Sequence, residues 1–508
     1  MHVFDPNSPA LTLGVCGTGA MGRGIAQIAA QGGVRVLLQD AKAGAAQAAR
    51  DAIAAMLKTL AEKGKLTTEH VEAAVAKLEV VESTSAFAAC DVVIEAIVEI
   101  LEVKKKLFAE LETIVRDDCV LASNTSSLSV TAIAAACKKP ARVAGYHFFN
   151  PVPVMKLVEV VPGMLTDPAV CEALTVLARR MGRTPVTTKD TPGFIVNHAG
   201  RGFGTEAFRI LGEGITEFYE IDRIMRDQAG FKLGPCELMD LTGIDVSHPV
   251  MESIYRQYYE EPRYKPSIIG QQRKDAGLLG RKTGRGFYNH TGGKQEELPI
   301  RPVPAAKPAS VFIPQAVLAE NAHLADFFGK LTVKIVTGSA SSADVCFVSA
   351  LGQDCTTAAL AAGLDPTRTV AIDGLMPIKA RVTLMTNPLT SAAARDFAHA
   401  ACASAGVQVS LIHDSAGFVA QRILAMIVNI GCEIVQQRIC APADLDLAVT
   451  LGLGYPLGPL AFGDALGPKR VLTILENMQA FYGDPRYRPS PWLKRRAMLG
   501  VSLLTGEA

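Results

Sequence analysis

The chain has 508 residues, with 51 basic and 50 acidic side chains and a formal net charge of +1. A balance this close leaves no electrostatic footprint for nucleic acid or an anionic membrane surface, so both partners are excluded from the reading. With 49% hydrophobic and 20% charged residues the chain is globular rather than disordered, and its length predicts about three or four domains.

The opening residues, MHVFDPNSPA, have neither the basic nor the apolar region of a secretory leader, and no later run reaches about 18 uninterrupted apolar residues. The expectation is a soluble cytoplasmic protein. LTLGVC, residues 11–16, then reads as a strand, and Gly17-Thr18-Gly19-Ala20-Met21-Gly22 leads directly into a helical pattern. In such a turn Gly17 allows the tight bend and Gly19 lets a pyrophosphate approach the backbone. Gly22 lets helix and strand pack closely, while the helix N-terminus offers N–H donors. A second strand, VRVLLQ, ends at Asp40, 23 positions after Gly17. A carboxylate there accepts both ribose hydroxyls of an adenosine half and repels a 2′-phosphate, which favours NAD over NADP. Residues 42–76 read as an inserted helical hairpin, with Lys58, Lys63 and Lys65 at its tip. Those lysines suit either a phosphorylated substrate handle or a solvated face.

DVVIEAI, residues 91–97, is an apolar strand carrying one acid, and Glu99 opens the next helical pattern, which includes Lys104. VLASNTSSLSV places Asn124, Thr125, Ser126 and Ser127 just beyond another strand, at the edge of a parallel sheet where ligands bind. In AGYHFFNPVPVMKLVEVV, His147 ends a strand, Asn150 and Pro151 make the turn, and Glu159 follows twelve residues after His147. That spacing permits contact across the turn. An imidazole, with an ordinary pKa of about 6.5, takes a hydroxyl proton while the carboxylate fixes its tautomer. On residues alone, a satisfied strand-end histidine, a surface acid and turn-forming polar side chains fit this stretch equally well. DTPGFIVNHAGRG then begins a helical region, with Asn197 about one turn in and Arg201 four residues on along the same face. The amide there suits a bound carbonyl, and both side chains suit capping or packing.

Taken in order, GxGxxG, DVVIEAIVE, SNTSSL, HFFNPVPVMKLVEVV and DTPGFIVN resemble the NAD-dependent L-3-hydroxyacyl-CoA dehydrogenases, over residues 11 to about 290. The architecture is similar to the long bacterial form, with a duplicated C-terminal domain, associated with 3-hydroxyadipyl-CoA oxidation in phenylacetate breakdown. The resemblance implies a Rossmann-type NAD-binding domain followed by an all-α domain, with NAD as cofactor and a 3-hydroxyacyl-CoA thioester as substrate. It implies His147 as general base, Glu159 as its orienting partner, and Ser126 and Asn197 as hydrogen-bonding groups around substrate and cofactor. It also points to Gly17, Gly19, Gly22, Asp40, Glu99, Lys104, Ser126, Asn150 and Lys282 around NAD, and to Lys63 as the lysine that contacts CoA. Rivals of other types are a two-domain sugar-acid or 3-hydroxyacid dehydrogenase using a lysine base and an NAD-binding scaffold without turnover. Within the family the open choice lies between an adipyl substrate and a 3-hydroxybutyryl-CoA or general β-oxidation substrate.

Sliding the sequence by 224 residues pairs Asp190 with Asp414, Gly193 with Gly417, Asp222 with Asp446, Gly234 with Gly458 and Asp240 with Asp464. EPRYKPS at 261–267 matches DPRYRPS at 484–490 after a one-residue gap, so the helical domain occurs twice. The expected organisation is 1–189 Rossmann domain with helical-hairpin insertion, 190–290 first helical copy, 291–314 proline-rich linker, 315–413 degenerate Rossmann-like domain and 414–508 second helical copy. In this register His147 falls on Ala371, Glu159 on Thr383 and Asn197 on Gln421, and no GxGxxG precedes them. The second half is therefore expected neither to bind NAD in this way nor to catalyse. Its helical copy is expected to pair with the first about a pseudo-twofold axis, giving a monomer or weak homodimer. Eleven cysteines without any CxxC pair predict reduced, mostly core thiols and no metal site.

Overall fold

The computed structural model describes residues 3–307 and 309–507. In chain order the first elements are β1 (Thr12–Cys16), α1 (Ala20–Gln31), β2 (Arg35–Gln39), α2 (Ala45–Glu62), α3 (Thr68–Ala76), β3 (Leu78–Val80), β4 (Val92–Glu95), α4 (Leu101–Ile114), β5 (Val120–Ser123) and α5 (Val130–Ala134). They continue with β6 (Val143–Phe148), β7 (Leu157–Pro162), α6 (Pro168–Arg180), β8 (Thr184–Thr187) and α7 (Val196–Ala199). Five helices follow: α8 (Arg201–Gly212), α9 (Phe218–Asp227), α10 (Pro235–Thr242), α11 (Ile244–Gln257) and α12 (Ile268–Asp275). The second half carries β9 (Ser310–Phe312), α13 (Gln315–Glu320), α14 (Ala322–Phe328), β10 (Lys334–Val336), β11 (Val345–Ser349), α15 (Cys355–Ala361), β12 (Thr369–Ile372), β13 (Arg381–Thr386), α16 (Ala392–Ala403) and β14 (Gln408–Ile412). It ends with α17 (Val419–Gln436), α18 (Pro442–Leu453), α19 (Pro459–Leu466), α20 (Pro468–Tyr482) and α21 (Pro491–Leu499).

These elements group into two units, residues 1–198 with 437–454, and residues 199–436 with 455–508. The grouping departs from the five-segment organisation read from the sequence. The first helical copy shares a unit with the second sheet, and α18 of the second helical copy belongs to the unit of the first sheet.

In the first unit eight strands run in the order β3-β2-β1-β4-β5-β6-β7-β8. Neighbours are parallel except β6 and β7. The central strands are buried on both faces and therefore read as continuous apolar runs. Leu13, Val15, Val36, Leu38, Val92, Ile94, Val120 and Ala122 join the buried face of α1 in one core.

The second unit holds a six-stranded sheet, β10-β9-β11-β12-β13-β14, again parallel except at one pair, β12 with β13. β9 lies inside this sheet although its residues fall in the stretch read as linker. Its short apolar run sits between Pro304 and Pro314, and those prolines outweighed a strand signal of three residues. Pro314 follows β9 where the first unit has its glycine turn.

α17 is long and apolar enough by composition to cross a membrane, but 89% of its 18 residues are buried inside the protein. It packs along α8 in the same unit, and Gly202 of α8 permits the approach. A Cβ there would lie 2.9 Å from the backbone of Ile427. The pair is bound by ions as well. Buried Glu206 receives Arg422 Nε at 2.9 Å and Arg486 Nε at 2.8 Å, while Tyr487 donates to it at 2.9 Å.

Candidate active site

The catalytic candidates of the first unit stand at one edge of its sheet. β6 and β7 are antiparallel, and their register places His147 directly opposite Glu159. His147 Nδ1 is 2.6 Å from Glu159 Oε2, with the imidazole almost covered and the carboxylate wholly buried. A buried carboxylate needs every lone pair met, and here the other oxygen accepts the backbone N–H groups of Ile195 and Val196, each at 3.0 Å. The turn before them makes this possible. Gly193 has φ +78° and Phe194 φ +48°, a left-handed pair that turns two successive N–H groups toward one acceptor. A bulky residue at positive φ costs about 1–3 kcal/mol and persists where surroundings impose it. Phe194 is buried, 5.7 Å from the His147 ring, and Phe149 covers the ring from 4.4 Å.

Beyond β5, Asn124 Oδ1 accepts the N–H of Phe148 at 2.8 Å and ties the polar loop to the end of β6, beside the histidine. Glu99 organises that loop. Its Oε1 accepts the Thr125 hydroxyl at 2.6 Å and the N–H groups of Ser126 at 2.9 Å and Ser127 at 3.2 Å. Its other oxygen is 3.2 Å from Lys104 Nζ. Burial opposes ionisation of Glu99, but Lys104 and the loop donors overcome it and hold the carboxyl below its ordinary range. Lys104 is itself buried, with Nζ 2.5 Å from Glu95 Oε1, and Glu95 Oε2 accepts the Ser123 hydroxyl at 2.6 Å. Lys104 is thus held between Glu95 and Glu99. Glu95 was legible only as the acid inside an apolar strand, and Ser123 gave no signal.

Asn197 Nδ2 donates to the Ser126 carbonyl at 3.5 Å, joining α7 to the loop, and both residues are half-buried. Asn150 is exposed. Asp190 fastens the start of α5, accepting Ser129 Oγ at 2.8 Å and the N–H groups of Val130 and Thr131 at 2.9 and 2.7 Å.

The glycine turn has the form a dinucleotide needs. Gly17 has φ +90°, and a Cβ at Gly22 would lie 1.8 Å from Gly17 O, whereas at Gly19 it would meet nothing within 4 Å. No side chain caps α1, so its first N–H groups are free to meet an anion. Asp40 Oδ2 accepts Thr18 N–H at 2.7 Å and Thr18 Oγ1 at 2.8 Å, and Oδ1 accepts Lys42 N–H at 2.9 Å. These residues fit NAD. Lys63 closes the C-terminal end of α2. In the second unit, Lys282 Nζ is 2.5 Å from Asp245. Arg201, also there, is buried, which lowers its guanidinium to about 10 against a small opposing effect of Tyr455. Among the described residues no cluster of three His, Cys, Asp or Glu side chains could hold a metal ion.

The corresponding edge of the second sheet corrects one reading of the repeat. Asp373 N–H donates to Thr383 O at 3.0 Å, continuing a register in which Ala371 faces Met385. The residue opposite Thr383 is thus Asp373, and Ala371 stands where Gly145 stands in the first copy. The hairpin is two residues shorter, ten from Asp373 to Thr383 against twelve from His147 to Glu159, and an ungapped register misses this. Asp373 is buried and receives Gln421 Nε2 at 3.0 Å and Gln228 Nε2 at 2.7 Å, while Thr383 donates to Gln228 Oε1 at 2.9 Å.

Residues 12–191 match the family model for the 3-hydroxyacyl-CoA dehydrogenase NAD-binding domain. Residues 193–290 and 417–502 both match the C-terminal domain of that family. The chain is 40% identical to the 3-hydroxyadipyl-CoA dehydrogenase of Escherichia coli K12 over 489 residues, 96% of this chain and 98% of that one. It is 38% identical to human mitochondrial hydroxyacyl-coenzyme A dehydrogenase over 282 residues, 54% of this chain and 90% of the relative. A crystal structure titled 3-hydroxybutyryl-CoA dehydrogenase, also from E. coli K12, superposes with a TM-score of 0.86 at 38% identity, covering 96% of this chain and 98% of that one. The (S)-3-hydroxybutyryl-CoA dehydrogenase of Ralstonia eutropha superposes at 0.54 and 39% identity, covering 55% of this chain and 99% of its own.

Proposed function

Because the chain belongs to the 3-hydroxyacyl-CoA dehydrogenase family, we propose that His147 is the base with which it oxidises an L-3-hydroxyacyl-CoA to the 3-ketoacyl-CoA. The enzyme is NAD-dependent. The observation that carries the assignment is the 2.6 Å contact between His147 Nδ1 and buried Glu159. Engaged there, Nδ1 keeps its proton, and the lone pair of Nε2 is the one that takes the 3-hydroxyl proton. The imidazolium so formed is met by a carboxylate already fixed by three hydrogen-bond partners, so little reorganises during the transfer. NAD, when bound, accepts hydride from C3. Ser126 and Asn197 orient the hydroxyl and thioester carbonyl, and Glu99, held by Lys104, shapes the loop beside the cofactor. Gly17, Gly19, Gly22 and Asp40 hold the adenosine half, with Asn150 and Lys282 toward the remainder of NAD. Lys63 is the CoA contact.

We assign the acyl group as 3-hydroxyadipyl, on the nearly full-length match to the E. coli protein of that name, with Arg201 as partner of the distal carboxylate. The butyryl title of the matching E. coli structure supports a short plain chain as the second reading. NADH formation with 3-hydroxyadipyl-, 3-hydroxybutyryl- and a longer plain 3-hydroxyacyl-CoA, each with NAD and NADP, decides between them. Preference for the plain thioesters would overturn the adipyl assignment. If Arg201→Met lost equally on all substrates, the carboxylate clamp would be excluded.

The pairing of α8 with α17 supports a chain that needs no second copy of itself. The expected mass in solution is that of one chain, and an obligate dimer joined through residues 190–290 would contradict this. All eleven cysteines are free, which supports the reducing cytoplasm as its setting.

A further inference from the structure

The repeat position occupied by Gln228 in the first helical copy is Gly452 in the second, 224 residues on. Each lies against an edge of one of the two sheets. In the second unit, the Gln228 amide bridges Asp373 and Thr383 at 2.7 and 2.9 Å, filling the place of the catalytic pair with a buried hydrogen-bonded plug. In the first unit, Gly452 of α18 packs on Val196 and Leu157. A Cβ at Gly452 would lie 2.9 Å from Val196 Cγ2, 3.0 Å from Leu157 Cδ2 and 3.1 Å from Val196 Cγ1.

Both neighbours bracket the working pair. Leu157 precedes Glu159 by two residues on the same face of β7, and Val196 is one of the two backbone donors to Glu159 Oε1. Both are fully buried. Val196 is β-branched and stiff at χ1, so pressure on its methyls passes to its backbone and then to the Glu159 carboxylate. Such pressure cannot be relieved by rotating a flexible tip, and close-packed interiors transmit it.

We propose that Gly452, in the copy that has lost its own catalytic pair, is a positioning residue of the first site. The absence of a side chain there keeps Val196, and through it Glu159 and His147, in working geometry. The second copy is thereby part of the active machinery rather than a remnant, since α18 supplies the wall behind the pair. This inference rests on the dehydrogenase reading above, and an inactive parent enzyme would refute that reading rather than this one.

The test uses the full chain and four variants. Gly452→Ala is expected to lower kcat about ten-fold, with KM and the NADH dissociation constant within about two-fold of the parent, and Gly452→Val to lower kcat further. Val196→Ala added to Gly452→Ala makes room for the new methyl and is expected to recover most of the lost kcat. Gln228→Gly, at the equivalent position of the other copy, is expected to lower stability but leave kcat within about two-fold of the parent. The proposal is overturned if Gly452→Ala turns over like the parent, if its loss is not relieved by Val196→Ala, or if Gln228→Gly costs as much kcat. Should Gly452→Val not fold, Gly452→Ala and its Val196→Ala partner still decide the matter.

Discussion

The ammonium of Lys104 lies 2.5 Å from the carboxylate of Glu95, with both side chains closed to solvent. Breaking such a pair leaves one charge buried without compensation, at a cost of about 3–5 kcal/mol. Lys104→Met is therefore expected to lower the urea midpoint strongly, and because Lys104 also holds Glu99, to weaken NADH binding. Denaturation and fluorescence titration measure the two effects. A variant with full stability and full NADH affinity would remove this chain of charges from the account of the loop.

Replacing His147 by alanine removes the proposed base but not the glycine turn. Turnover is expected to fall about a hundred- to ten-thousand-fold, with the NADH dissociation constant nearly unchanged. Glu159→Gln should behave similarly, because an amide cannot serve His147, Ile195 and Val196 as one carboxylate does. Steady-state kinetics alongside NADH titration checks both, and equal losses in turnover and binding would count against the base assignment.

As the proposed partner of the adenosine ribose, Asp40 is expected to set the choice of dinucleotide. Asp40→Ala is expected to narrow the preference for NAD over NADP by about ten-fold or more, since the repulsion of a 2′-phosphate goes with the carboxylate. Burial opposes the charge on Asp40, but hydrogen bonds from Lys42 and Thr18 outweigh it and lower the carboxyl from its ordinary value. A lowered folded value contributes order that is present above the ordinary range and lost only as pH falls through the lowered one. NADH affinity should therefore show no loss through Asp40 between about pH 5 and pH 8.

The helical region carries the opposite case. Burial and then the neighbouring Glu237 push Asp222 up to about 8, against donors from Tyr288, Cys236 and Glu237. A raised folded value contributes stability that is full below the ordinary carboxylate value and is lost as pH climbs through the raised one. Urea midpoints are expected to decline from about pH 4 to pH 8 through this group, and less so in Asp222→Asn. A flat profile in the parent would show that the donors keep Asp222 ionised.

The strand–glycine–helix start and the polar loop after β5 were legible because each is local, a few residues whose types answer one physical demand. The pairing of His147 with Glu159 was legible as a spacing, though only the antiparallel register made it a contact. Three features lay beyond reach. Lys104, placed near NAD by the resemblance alone, gives no pattern of its own for its burial between Glu95 at the end of β4 and Glu99 in the loop that follows. β9 is three residues long between prolines, too brief to give a period. The position of Asp373 depends on a hairpin shortened by two residues, which a single sliding register absorbs silently.

Glu206 meets two arginines, Arg422 and Arg486, that both come from the other copy. The repeat counterparts of Glu206 and Arg422 are Ile430 and His198, so the lock is written in unlike residues. A twin of the first copy would bring His198, not a guanidinium, to the Arg422 position. The contact is thus asymmetric, an acid of the first copy held by arginines of the second.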